Sequence, residues 1–540
     1  MDLLPDGEAV VKTAAGRWGP LAAAVAAYWT LTFALLMVGL GRTGGVFVYA
    51  QDDPYIHLTI ARTLAIHGVW GIRADEFASA SSSPLWTALL AVLWKVGARA
   101  TWWPLVLNLI AGAGTLSFAH EVLRPRLLPI PRFLALMVLT AATPLPTLAL
   151  IGMEHSLQIL LVLALVWVAT GIIEEEARSR IGLLCLLAAL LAATRYEGLL
   201  VVGAAAAVMA LNRRYIAACA SGLASLAPVV LFGVYSTVHG ALPLPNSVLM
   251  KSGPGRFATL GSGIAAVASD WLAVLNIFGR PPVLTLTIAV LLALAFMWTA
   301  HNREDARIRN AGLIFLASVT LHVCLVKIEW FFRYEAYLVA LGILTMALAC
   351  SLRMRGALPR LPQERTMPAS VLAILLCLPV AVRSLSAVAV TPGAMRNVFE
   401  QQYQMGLFFR GAYPGDPIAV NDIGAVGWLS PSPIVDIVGL ATKEVADLKR
   451  HRRFDGPALE RLIAVRGVRA VAMYEKVFEP IIPRSWTLVG EWTIANNVGV
   501  SEDTVGFYAP TPADVTRLRG ALDAFATALP GTVKYTAGPR

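Results

Sequence analysis

The sequence predicts a polytopic α-helical membrane protein, with about eleven transmembrane helices and a small C-terminal α/β domain. Three observations predict it. The 540-residue chain is 57% hydrophobic and only 14% charged, with a mean hydropathy of +0.66, a composition outside the soluble globular range. Apolar runs near the length of a membrane span recur from Pro20 to Val382. Beyond about Val388 these runs stop, and short β-branched stretches bounded by Gly, Pro and Ser replace them. Residues 1–388 therefore read as the membrane part and 389–540 as a soluble domain.

The first run, Pro20–Leu40, follows Lys12 and Arg17 and shows no small-residue cleavage site. It reads as a retained signal anchor. Further spans are expected at Trp103–Phe118, Phe133–Ile151, Leu157–Ile173, Ile181–Ala193, Leu199–Leu211, Ile216–Val238, Val283–Ala300, Ala311–Val326, Glu335–Cys350 and Pro368–Val382. Pro84–Val96 is apolar but short, and its Trp86 and Trp94 suit an interfacial helix.

Loop charge supports that choice. Without a span there, Arg124/Arg126/Arg132, Arg178/Arg180, Arg213/Arg214, Arg303/Arg307/Arg309 and Arg353/Arg355/Arg360/Arg365 share one side with Lys12 and Arg17. That side is the cytoplasm by the positive-inside rule, which puts the tail outside. The net charge of +10 then reflects cytoplasmic loops and not a nucleic-acid partner. The five cysteines, Cys185, Cys219, Cys324, Cys350 and Cys377, lie in or beside apolar segments and fit neither a zinc site nor a disulfide framework.

In the tail, Ile418–Asp422, Gly427–Leu429, Ile434–Val438, Val468–Tyr474 and Val505–Tyr508 read as short strands. Pro457–Val465 and Ala513–Leu529 have helical spacing. There is no Rossmann or P-loop glycine pattern.

The chemistry points to the face that carries the tail. Asp52 and Asp53 stand in the loop that follows the first span. A carboxylate pair at a bilayer surface is costly and suits a general base, since like charges raise each other's pKa. The plainer reading is a helix N-cap. Glu154 sits in the turn Gly152–His155, as a second acid or an interfacial one. Arg195 and Glu197 flank Tyr196 in a tight turn, where they either pair or offer a guanidinium fork to a phosphate or sugar. Asn246 and Lys251 follow Pro245, as a cap and a snorkelling lysine or as contacts to a lipid-linked phosphate. In Trp330–Glu335, Arg333, Tyr334 and Glu335 form an interface belt or bring a cation to a phosphate leaving group. Ser81-Ser82-Ser83-Pro84 is a capped helix start or a substrate lining. The histidines, His57 among them, show no metal-ligand spacing.

The order of these motifs resembles the GT-C glycosyltransferases, and within them the AftB-type arabinofuranosyltransferase branch. The residues that carry it are Asp52-Asp53-Pro54-Tyr55-Ile56 with Arg62, then Ser82-Ser83-Pro84-Leu85-Trp86. They continue through Gly152-Met153-Glu154, Thr194-Arg195-Tyr196-Glu197-Gly198, and Leu244-Pro245-Asn246-Ser247 with Lys251. In the tail they are Asn421-Asp422-Ile423-Gly424-Ala425 and Val435 to Leu440. Tyr196 stands where proline is common in the group, and the tail is smaller than the group's carbohydrate-binding region.

The resemblance implies a GT-C-like catalytic domain in a bacterial plasma membrane, with the site and tail extracytoplasmic. A sugar, with D-arabinofuranose as a candidate, would move from a polyprenyl-phosphate donor to a cell-envelope glycan, lipid or protein acceptor, with inversion. Asp52 or Asp53 would be the base, the first with a slight preference. Arg195, Lys251 and Arg333 would face the phosphate, and Glu154 would bind a sugar. His57, Arg62, Glu197, Asn246, Tyr334 and Glu335 would complete the substrate site. The sequence requires no cofactor, and a divalent metal ion stays open. The other function classes are a transporter or flippase of lipid-linked sugars, and an assembly protein acting through its tail.

Overall fold

The computed structural model describes residues 14–175, 178–251, 306–326, 331–355 and 363–539. The expected span Val283–Ala300 lies outside the described residues.

Helix α1 (Ala14–Arg42) is the first span. A loop then leads to α2 (Asp53–His67), which has Pro54 in its first turn and Gly68 as a left-handed C-cap. Helix α3 (Pro84–Lys95) begins at Ser83, whose hydroxyl accepts from the Trp86 N–H. At about 1.5 Å per residue, its 12 residues are too short to cross a membrane. It packs on α2.

Helices α4 (Trp103–Leu123), α5 (Pro129–Ala142) and α6 (Leu145–Ile151) follow. The expected span Phe133–Ile151 is broken between α5 and α6, where Pro144 and Pro146 remove backbone donors. Next come α7 (His155–Glu175), α8 (Ile181–Thr194), α9 (Gly198–Leu211), α10 (Tyr215–Val238) and the short α11 (Asn246–Lys251). Helices α12 (Ala306–Leu325), α13 (Ala336–Arg355) and α14 (Gln363–Val398) cover the remaining expected runs. Among the described residues, five segments are long and apolar enough to cross a membrane: Gly16–Arg42, Trp103–Leu123, Pro129–Ile151, His155–Glu175 and Tyr215–Val238. The outward faces stay greasy, with Leu223, Leu231 and Val238 exposed on α10, as lipid contact requires.

Helix α14 runs past Val388 into a π-turn at Phe399–Tyr403 and then α15 (Gln404–Ala412). The tail adds β1 (Ile418–Val420), α16 (Gly424–Leu429), β2 (Ile434–Asp436), α17 (Lys443–Arg450), α18 (Gly456–Val465) and β3 (Ala470–Tyr474). It ends with β4 (Thr487–Ile494), β5 (Thr504–Ala509), α19 (Pro512–Ala526) and β6 (Val533–Ala537). The six strands form one mixed sheet in the order β2-β1-β3-β5-β4-β6. Strand β1 is parallel to β2 and β3, and the other pairings are antiparallel. The chain leaves β1 for β2 on one side and returns to β3 on the other. The winding therefore reverses between β1 and β3, the place where open α/β sheets present a crevice at their carboxyl ends. Asn421 and Asp422 follow β1 directly there, and Tyr474 ends β3.

One expectation fails in the tail. Gly427–Leu429, read as a strand, is the end of helix α16.

Helix α2 joins the two halves. Its Tyr55, Leu58 and Ala61 belong to the apolar core of the helix bundle. Ile56 and Ile60, on another face, belong to the core of the tail. Spacings of three and four residues put these sets on separate faces of one helix.

Candidate active site

The loop before α2 is fixed from several sides. The Ala50 N–H donates to the Leu150 carbonyl at 3.0 Å. The Tyr49 hydroxyl donates to the Thr101 carbonyl at 2.7 Å, and Gln51 Nε2 to the Gly499 carbonyl at 3.1 Å. The Tyr49 ring lies where a Cβ on Gly152 would sit, and Gly152 has a φ of +75°. Only glycine meets both conditions without strain. The turn that carries Glu154 is thereby packed against the loop that carries Asp52.

Asp52 occupies the N-cap position of α2 but makes no capping bond with its side chain. Its carboxylate instead accepts the N–H groups of Gly424 and Ala425, both at 2.7 Å, from the first turn of α16. Arg62 of α2 donates to the Gly427 and Trp428 carbonyls at 3.1 and 3.0 Å and lies 4.6 Å from the Trp428 ring centroid. Helix α16 thus has an acid at its positive end and a cation at its negative end. Burial pushes the Asp52 carboxyl up to about 8, with Asp422 and Asp53 adding to the rise and the two N–H groups opposing it. That places it near the range suited to a general base at neutral pH.

Asp53 accepts from Arg333 Nη2 at 2.7 Å. The Arg333 side chain is 2% exposed, and its Nε and Nη1 have no hydrogen-bond partner. A buried guanidinium with idle donors is expensive. Phe331 and Phe332, directly before it, have φ values of 52° and 61°. Two consecutive left-handed residues other than glycine cost about 1–2 kcal/mol each. The strain is held by Arg383, whose Nη2 donates to the Phe332 carbonyl at 2.8 Å and whose Nη1 pairs with Glu335.

Arg195 donates to Glu154 at 2.7 Å and, through two nitrogens, to Glu197 at 2.7 and 3.0 Å. Burial alone would raise the Glu197 carboxyl, but Arg195 overrides it and holds the group at about 2. Arg195 and Arg333 both face the Tyr334 ring, at 5.5 and 5.2 Å. Glu154 Oε2 is buried without a hydrogen bond and lies 4.0 Å from His57 Nε2. His57 Nδ1 is 2.7 Å from Thr87 Oγ1 and 3.2 Å from Ser81 Oγ.

Asp52, Asp53, His57, Glu154, Arg195, Glu197, Arg333 and Tyr334 therefore form one connected cluster at one end of the bundle. Three of the expected residues, Arg62, Glu335 and Asn246, are bonded elsewhere. Arg62 is committed to α16, and Glu335 to Arg383. Asn246 Nδ2 donates to the Leu440 carbonyl at 3.2 Å, tying α11 to the tail. Lys251 ends α11, and its side chain lies outside the described residues. Among the described residues, no three His, Cys, Asp or Glu side chains are placed to hold a metal ion.

The cluster also contains residues that were not expected as site residues. Asp422 acts electrostatically on Asp52, and Asp53 acts on Asp422. Its Oδ2 accepts from Tyr474 at 2.5 Å and from Gln402 at 2.8 Å. The motif Asn421–Ala425 was visible in the sequence, but nothing local in it indicated this neighbourhood.

A family model described as a domain of unknown function (DUF8728) matches residues 395–508. No curated protein matches the chain. Among solved structures, the chain is similar to the crystal structure of the Archaeoglobus fulgidus oligosaccharyltransferase in complex with zinc and sulfate. That similarity has 9% identity and a TM-score of 0.47, and covers 90% of this chain and 73% of that one.

Proposed function

We propose that this multi-pass membrane protein is an inverting glycosyltransferase of the GT-C type, moving a sugar from a polyprenyl-phosphate donor to a hydroxyl of a cell-envelope glycan, lipid or protein. One observation carries the reading. A carboxylate raised toward neutral pH and a buried arginine with two idle nitrogens meet in one cluster at the end of the bundle.

Asp52 takes the proton of the acceptor hydroxyl. The acceptor oxygen attacks the sugar C1 from the side opposite the phosphate. The C1–O bond breaks, and the electron pair leaves with the polyprenyl phosphate. Arg333 meets the growing charge with Nε and Nη1, in surroundings where water does not dilute the interaction. Arg195 is already balanced by Glu154 and Glu197, so it orders the site and leaves the phosphate to Arg333. The idle Glu154 Oε2 accepts a sugar hydroxyl. D-arabinofuranose is the first donor to test. The arginine distribution between the helices supports a cluster and tail outside the cytoplasm.

The test is a reconstituted protein given a panel of labelled polyprenyl-phosphate sugars, arabinofuranose and mannose included, with a glycan acceptor. Covalent transfer that fails in Asp52→Ala supports the reading. Label that crosses the bilayer on an unchanged carrier shows a flippase instead.

A further inference from the structure

We propose that Asp422, in the soluble domain, is a positioning residue for the same reaction, so that the reaction centre is assembled from both halves of the chain. This rests on the glycosyltransferase reading above.

The placement is specific. Asp422 follows β1 at the carboxyl edge of the parallel strands, where the winding reverses between β1 and β3. Tyr474, at the end of β3, donates to its carboxylate, and the Tyr474 N–H donates to Asn421 Oδ1 at 3.0 Å. The second anchor is Gln402, turned inward by the π-turn that joins α14 to α15. Such π-turns often mark functional positions. Two residues on, Gly424 starts the turn whose N–H groups hold Asp52. A Cβ on Gly424 would overlap both the backbone carbonyl and the carboxylate of Asp52. The approach therefore admits only glycine.

A ligand is indicated independently of the acids. Arg333 is buried against Asp53 with two donors unpartnered. The sheet edge, the loop acids and this arginine thus surround one spot.

Asp422 acts there through its charge. The groups facing Asp52 are Asp53 beside it, Tyr55 of α2, Asp422 after β1 and Tyr474 of β3, with Arg333 reached through Asp53. A negative Asp422 disfavours a second negative charge on Asp52 and so makes Asp52 the stronger base. Hydrogen bonds from Tyr474 and Gln402 fix the distance at which it does so.

The experiment compares full-length wild type with Asp422→Asn and Asp436→Asn, measuring transfer of labelled sugar from the same donor panel against pH. Asp436 is a buried carboxylate of the same domain that accepts the Val438 and Ala441 N–H groups, so its variant reports loosening of the tail alone. The expected result for Asp422→Asn is a high-pH plateau of kcat/KM lowered several-fold, as a weaker base requires, with the acid limb moved about one unit lower. Asp436→Asn keeps the wild-type limb. An unmoved limb in Asp422→Asn, or the same loss in both variants, overturns the role of Asp422 and leaves the glycosyltransferase reading standing. Failure of the wild type to transfer any sugar overturns both.

Discussion

Asp52 and Asp53 are neighbours in sequence with different surroundings. Asp52 is held by two backbone N–H groups and raised to about 8. Asp53 is tied to Arg333. A base works only when ionised, so activity rises with pH toward and through about 8 and falls below it. A pH–rate profile of kcat/KM checks this, and a flat profile from pH 5 to 9 contradicts it. Asp52→Asn is expected to lose at least about a hundredfold in transfer rate. Arg333→Lys keeps the charge but loses the planar fork. The expected result is a kcat lowered about tenfold with a smaller change in donor KM, read from steady-state kinetics.

At the scale of elements, α16 shows what the sequence could and could not disclose. Gly427–Leu429 reads as a strand because Trp and Leu flanked by small residues fit a pleated surface. It folds as a helix because Asp52, 372 residues earlier, satisfies its first N–H groups and Arg62 its last carbonyls. No local pattern contains that information. The apolar runs were legible for the opposite reason, since a bilayer imposes its requirement on each segment separately. Ser83 before Pro84 was legible as a helix start because capping is local. Gly424→Ala tests the clamp. An added methyl in a filled space costs about 1–3 kcal/mol, and here it displaces the Asp52 loop. The expected outcome is loss of transfer with little change in the melting of the helix bundle, followed by activity assay and thermal denaturation in detergent.

At the scale of the whole molecule, the two halves share an element. Helix α2 gives one face to each core, and the candidate site lies where they meet. The sequence showed the acids of the first loop, the Glu154 turn and the arginines, because charges beside a membrane stand out against apolar surroundings. It did not show that Asp422 joins them, since that follows from docking a sheet edge onto the bundle. Nor did it show the partners of Arg62 and Glu335, since each lies far along the chain. Arg62→Ala is expected to loosen the docking. Limited proteolysis would then cut between β1 and β2 faster than in wild type, and an unchanged pattern would contradict the clamp.

The most direct test of the central claim is product analysis with purified wild type and Asp52→Asn, using labelled polyprenyl-phosphate sugars and a glycan acceptor. The expected result is a covalent product of inverted anomeric configuration from the wild type and almost none from the variant. Equal transfer by both, or a product that retains the donor configuration, would contradict it.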